Sequence, residues 1–95
     1  MYRKAMKELR RRALDVRPTV HVGKEGVTDA VAEELKRQVK AVKLVKVKVL
    51  VTSGSATQEV AEALAEATGT VLVDVRGGVA IFSDKRTCEQ LSARR

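Results

Sequence analysis

From Leu44 to Val51 the chain alternates without interruption, with Val45, Val47, Val49 and Val51 at one parity and Lys46 and Lys48 at the other. A period of two places the valines on one face of a strand and the lysines on the opposite face. A strand with one apolar face must bury that face against another element, so this segment commits the chain to a sheet with a packed layer. Its neighbours follow a helical period instead. Tyr2, Met6, Leu9, Ala13 and Val16 recur at spacings of four and three, as do Val31, Leu35, Val39 and Val42, and also Val60, Leu64 and Ala67, with Ala61 on the same face. Those three stretches are predicted helices.

The punctuation between them is equally specific. Arg17-Pro18 is predicted to end the first helix, because proline drives the residue before it out of the helical region. Thr19 to Val22 then alternates as a short strand, and Gly23-Lys24-Glu25-Gly26 interrupts it. Thr28 is the predicted N-cap of the second helix, with Asp29 near its positive end. Thr52-Ser53-Gly54 reads as a loop, Ser55 and Gln58 have capping-box spacing for the third helix, and Gly69 suits its C-terminal end. Val71, Val73 and Val75 are expected on one face of a third strand. Gly77-Gly78 is a hairpin turn, and Val79 to Ser83 returns antiparallel. Beyond Lys85 the apolar pattern stops, which leaves a basic C-terminal tail over 86–95, either loose or a short extra helix.

The expected order is therefore α-β-α-β-α-β-β over 1–85: an α/β fold, one domain, with a mixed four-stranded sheet packed by helices. A chain of 95 residues has room for one such core and not for two.

Charge is distributed unevenly over this frame. Nineteen Lys and Arg against twelve Asp and Glu give a formal net charge of +7. Arg3, Lys4, Lys7, Arg10, Arg11, Arg12, Arg17 and Lys24 face only Glu8 and Asp15 in the first 24 residues, which hold nearly all of the excess. Such polarisation attracts polyanions. With Tyr2 and Phe82 as the only aromatic residues and no Trp, a base-stacking platform of aromatics is excluded, so any nucleic acid is expected to be held through charge and backbone. One cysteine, Cys88, and one histidine, His21, make neither an internal disulfide nor a zinc site of ordinary spacing. No segment reaches the ~20 apolar residues of a membrane helix, and the N-terminus carries no secretory pattern. A cytoplasmic protein without metal or other cofactor, membrane or small-molecule ligand is expected. No nucleophile and carboxylate accompany His21, and Asp74 and Asp84 do not pair in pattern, so no enzyme is expected.

The tetrapeptide Gly23-Lys24-Glu25-Gly26 sits between a strand and a helix N-terminus. Glycines there allow close approach to peptide N–H groups, the helix end favours phosphate, and Lys24 adds a cation. The pattern matches a GxxG loop of the kind that clamps a nucleic-acid backbone in KH domains, although glycine at such a turn also serves shape alone.

The run from Leu9 through Arg10-Arg11-Arg12, then Arg17-Pro18 to Val27-Thr28 with its Gly-Lys-x-Gly core, resembles the opening of the CRM (CRS1–YhbY) domain. Leu44-Val45-Lys46-Val47-Lys48 is similar to that family's Leu-x-Lys-Val-Lys strand, Ala67-Thr68-Gly69 to the end of its third helix, and Arg76-Gly77-Gly78 through Phe82 to its terminal hairpin. Phe82-Ser83 stands where the family often has Tyr-Arg, and Glu25 places a negative charge in the loop. The resemblance spans residues 3 to 85 and is to the stand-alone YhbY-type prokaryotic members. It implies a KH-like RNA-binding fold, a role in ribosomal subunit assembly on precursor ribosomal RNA, and no catalysis. On the matching positions it points to Gly23, Lys24 and Gly26, then Arg10, Arg11 and Arg12, Lys46 and Lys48, and Arg76 as RNA contacts. Two other readings remain for a small basic domain: a DNA-binding or chromatin-type protein, and a module that docks on an acidic protein.

Overall fold

The computed structural model describes residues 3–50 and 54–93. Its elements run α1 (Arg3–Ala13), β1 (Pro18–Val22), α2 (Asp29–Val42), β2 (Leu44–Val49), α3 (Gly54–Thr68), β3 (Val71–Arg76), β4 (Val79–Ser83) and α4 (Lys85–Ala93). The strands form one mixed sheet in the order β1-β2-β4-β3. β1 and β2 are parallel, and β4 lies antiparallel between β2 and β3. Both β-α-β crossovers expected from sequence are present, the second with β4 inserted between its strands.

One face of the sheet is covered by α2 and α3, and the other is covered in part by α1 and α4. Val20 and Val22, Val45, Val47 and Val49, and Ala80 and Phe82 pack on one face against Leu35 and Val39 of α2 and Ala61 and Leu64 of α3. The other face carries a smaller core, in which Val73 and Ile81 meet Ala5, Leu9 and Ala13 of α1 and Cys88 of α4. The helical stripes are shorter than their periodicity indicated. Val42 and Ala67 are exposed, and Thr57 joins the buried side of α3. Tyr2, Val51, Thr52 and Ser53 lie outside the described residues. Gly54 is already helical, so Ser55 is a helix residue, and its side chain is outside the description.

Two features depart from expectation. α1 stops at Ala13, not at Arg17-Pro18. The N–H groups of Leu14, Asp15 and Val16 donate to the carbonyls three residues back, at 3.3, 3.3 and 3.1 Å, a tightening common at helix ends. The chain needs those residues to turn from α1 into β1, and Val16 leaves the helix with them. In β3, Leu72 pairs with Phe82, Asp74 with Ile81 and Val75 with Ala80, with a register shift between Leu72 and Asp74. This bulge changes the facing parity. Val71 and Val73 turn toward α1 and α4, while Leu72 and Val75 turn toward α2 and α3. The three valines expected on one face are therefore split.

Of the two forms expected for the C-terminal segment, the structure has the short extra helix, α4, with Cys88 and Leu91 packed three residues apart on the second core. Asp84 starts it: the Thr87 N–H donates to Asp84 Oδ1 at 2.8 Å. Asp84 also pairs with Lys43 Nζ at 3.5 Å. Lys43 closes α2 in the left-handed region, at φ 69°, and its carbonyl accepts from Ser83 Oγ at 2.5 Å. The end of α2 and the start of α4 are thus tied to each other. Thr28 caps α2 as expected, accepting the Val31 N–H at 3.2 Å. Asp84→Ala is expected to remove the cap of α4 and destabilise the fold by about 1 kcal/mol. A urea titration checks this, and an unchanged midpoint would mean that α4 adds nothing to global stability.

Candidate nucleic-acid interface

On the face toward α1, alternation and register put His21, Lys48, Val79 and Arg76 in one row across all four strands. Three interstrand spacings of about 4.8 Å make that row roughly 14 Å wide. The next row holds Pro18, Lys46, Ile81 and Asp74. α1 reaches this second row and stops. The last turn of the helix therefore meets the sheet at a cavity of about 590 Å³, where Arg10 and Arg11 stand with Lys46, Asp74 and Arg76.

The Gly23–Gly26 loop lies at the same end of the sheet. Leu50 N–H donates to Val22 O at 2.8 Å, and Val49 N–H donates to Gly78 O at 2.7 Å. Those bonds bring the end of β1 and the β3–β4 hairpin together beside the end of β2. Gly77, with φ 56°, makes the hairpin turn possible. The tetrapeptide itself is a turn closed by Gly26 N–H on Gly23 O at 3.1 Å. Gly26 sits at φ 72°, a conformation that favours glycine. Gly23 has no such reason to be glycine, since its φ is ordinary and a Cβ there would meet nothing within 4 Å. Gly23, Lys24 and Glu25 are exposed.

Of the residues singled out from sequence, the structure brings Arg10, Arg11, Lys46 and Arg76 to one cavity, Lys48 to the row beside it, and Gly23, Lys24 and Gly26 to the end of the same sheet. It sets Arg12 apart. Arg12 lines a second cavity of about 670 Å³ with Arg37, Val42 and Lys43, so the three arginines do not form a single edge.

The cations also differ in how they are paired. Glu8 Oε2 takes Arg11 Nη2 at 2.5 Å and Arg12 Nε at 2.8 Å. Those two guanidinium groups hold the Glu8 carboxyl down at about 2, from an ordinary 4.5. A carboxyl lowered in the folded state stabilises α1 above its ordinary value, and that contribution fades as pH falls toward 2. Arg76 Nε is 3.0 Å from Asp74 Oδ2. Among the described residues, no ion pair involves Arg10, Lys24, Lys46 or Lys48. These four therefore carry the least neutralised charge of the site. Sequence reasoning passed over His21 and Asp74 as site residues. His21 was legible through its alternation with Val20 and Val22. Asp74 was not, because the bulge decides where it points.

Removing Glu8 tests this accounting. Glu8→Gln releases Arg11 and Arg12, so binding to a polyanion is expected to tighten a few-fold, with a salt slope steeper by about 1. Filter binding over a salt series reads both, and an unchanged slope would place Arg11 outside the interface.

Comparison with known proteins bears on this site. Curated proteins contain no match. A solved structure does match: the hypothetical protein SAV1595 from Staphylococcus aureus, described as a candidate RNA-binding protein, is similar with a TM-score of 0.79 and 27% identity, over 90% of this chain and 88% of that one. The sequence model of the CRS1 / YhbY (CRM) domain matches residues 1–82, a span that takes in α1, the glycine turn and β4 up to Phe82, and so the chain belongs to the CRS1/YhbY (CRM) family.

Proposed function

We infer that this protein binds RNA without catalysis, through the basic sheet face and the Gly23–Gly26 turn, and that its RNA is precursor ribosomal RNA in an assembling subunit. The observation that carries the reading is the convergence of Arg10, Lys46 and Lys48, without an ion-pair partner among the described residues and from two different elements, on the half of the sheet that α1 leaves uncovered. Family membership supports it, as does the likeness to SAV1595. A row roughly 14 Å wide is suited to a phosphate backbone crossing the strands, with the turn at its end. Gly23 supports the same reading, because the fold makes no demand for a glycine there and a closely approaching backbone does. Burial and the Asp84 charge push the Cys88 thiol up, against a weaker opposing hydrogen bond from Ser83, which disfavours the thiolate that a nucleophile needs.

Two glycine variants separate binding from shape. Gly23→Ala is expected to leave the melting temperature within about 2 °C, since exposed substitutions are nearly neutral, and to weaken binding to structured RNA several-fold. Gly26→Ala forces alanine into the left-handed region and is expected to destabilise the fold by about 1 kcal/mol. If Gly23→Ala binds as the parent does, the turn does not touch the RNA. Competition with duplex DNA tests the class of ligand, and equal or better binding to DNA would replace RNA by a chromatin-type role. Sedimentation of a lysate on a sucrose gradient tests the particle. Comigration with a pre-subunit that ribonuclease abolishes is expected, and a free peak at low salt would remove the ribosomal part of the reading.

A further inference from the structure

The cavity beneath Arg10 and Arg11 has a composition that a phosphate site does not require. Its floor is aliphatic, made by Ala13, Pro18, Val79 and Ile81. Leu14 leaves 77% of its surface uncovered, so a large apolar side chain stands open at the rim. The wall contains a carboxylate, Asp74, whose side chain is only 25% exposed. A carboxylate repels a phosphate, and an aliphatic floor offers it no hydrogen bond. Both features suit a nucleobase, which has a flat face to lay on apolar or guanidinium surface and an edge that carries N–H donors.

The β3 bulge creates this arrangement. With unbroken alternation, Asp74 and Arg76 would share the face of Leu72, under α2 and α3. The register shift turns both toward α1 and into the cavity. Asp74 Oδ1 then accepts the Val75 N–H at 2.9 Å, and Oδ2 accepts Arg76 Nε at 3.0 Å. A carboxylate has about four acceptor sites, so each oxygen keeps a lone pair for a ligand.

We propose that this cavity holds one unpaired base of the bound RNA, guanine in preference to the others, with Asp74 accepting from guanine N1–H and N2–H and with Arg10, Arg11 and Lys46 on the adjoining phosphates. The proposal rests on the RNA-binding reading above. Guanine is the base whose Watson–Crick edge places two donors side by side, matching the two oxygens of a carboxylate. Adenine and cytosine set an acceptor beside the amino group, and uracil flanks its single donor with acceptors, so each of them turns a lone pair toward Asp74. Leu14 and Pro18 supply the apolar surface against which the base lies.

The test uses the full chain and oligouridine probes of one length, all-uridine or with a single central guanosine or adenosine. The guanosine probe is expected to bind about fivefold or more tightly than the adenosine probe, the scale of a bidentate base contact. Asp74→Asn is expected to erase that preference; it also frees Arg76 from its carboxylate, so the all-uridine probe is expected to bind this variant a few-fold more tightly than it binds the parent. Leu14→Ser, at a position where the fold gains little, is expected to weaken the guanosine probe and spare the all-uridine one. In methyl spectra, guanosine monophosphate shifts Leu14, Val79 and Ile81, and inorganic phosphate does not. Equal binding of the guanosine and adenosine probes by the parent overturns the proposal, as does a preference that survives Asp74→Asn or the same methyl shifts with phosphate. A parent that binds neither the probes nor structured RNA at low salt removes the RNA-binding reading itself, a result distinguishable from binding without base preference.

Discussion

Phe82→Ala is expected to cost about 3–5 kcal/mol, the range for truncating a buried aromatic. Phe82 is the largest fully buried side chain among the described residues. It stands on β4 between Val45 of β2 and Leu72 of β3, so its ring touches the part of the core that joins the strands to α2 and α3. Small domains have about 5–15 kcal/mol in total, and the melting temperature of a chain this size is expected to fall by more than about 12 °C. Leu14→Ala is the matched control: a large apolar residue that is exposed, with an expected change within about 0.5 kcal/mol. Thermal and urea unfolding of the two variants check the contrast. A Phe82→Ala protein that melts with the parent would mean that the two-layer core is not what holds the sheet.

The second large effect concerns binding. Arg10→Gln, Lys46→Gln and Lys48→Gln together remove three cations that have no ion-pair partner among the described residues. Each phosphate that a removed cation no longer neutralises reduces the slope of log K against log salt by about 0.9, so the slope is expected to fall by roughly 2.7. Extrapolated from 1 M, where the counterion term vanishes, to about 0.15 M salt, that is roughly a hundredfold weaker binding. The control variant, Lys36→Gln, Lys40→Gln and Lys85→Gln, lowers net charge equally but from α2 and α4. It is expected to bind no more than about threefold more weakly, because at that ionic strength charges beyond a Debye length of about 8 Å are screened. Equal weakening in the two triple variants would mean that overall charge, and not the sheet face, governs binding.

Several elements of this protein follow from local rules. The valine parity of Leu44–Val49 made it a strand, and a period of two sent Lys46 and Lys48 away from the core. Thr28 capped α2 through its own hydroxyl. Gly69 takes φ 68° at the end of α3, and Gly77-Gly78 turns the hairpin. The concentration of base in the first 24 residues was likewise visible in the chain alone, as were the residues that carry the resemblance to its family. Each of these depends on interactions within a few residues, so sequence spacing is sufficient to read them.

The rest depended on which neighbour won. α1 ended at Ala13 because the connection to β1 needed the intervening residues, which no single residue announces. α4 formed because Asp84 caps it and Cys88 and Leu91 find a second core already made by α1, Val73 and Ile81; so short a pattern left the segment open between a loose tail and a short helix. Arg12 parted from Arg10 because helix residues two apart point about 200° apart, and different elements flank the two sides of α1. The bulge in β3 was decided by pairing. Alternation alone would have set Val71, Val73 and Val75 on one face, but matching Leu72 to Phe82 and Val75 to Ala80 across the hairpin satisfies both cores at once and leaves one residue over. That extra residue is what carries Asp74 and Arg76 into the basic cavity, since a shift of one position in a strand exchanges its faces.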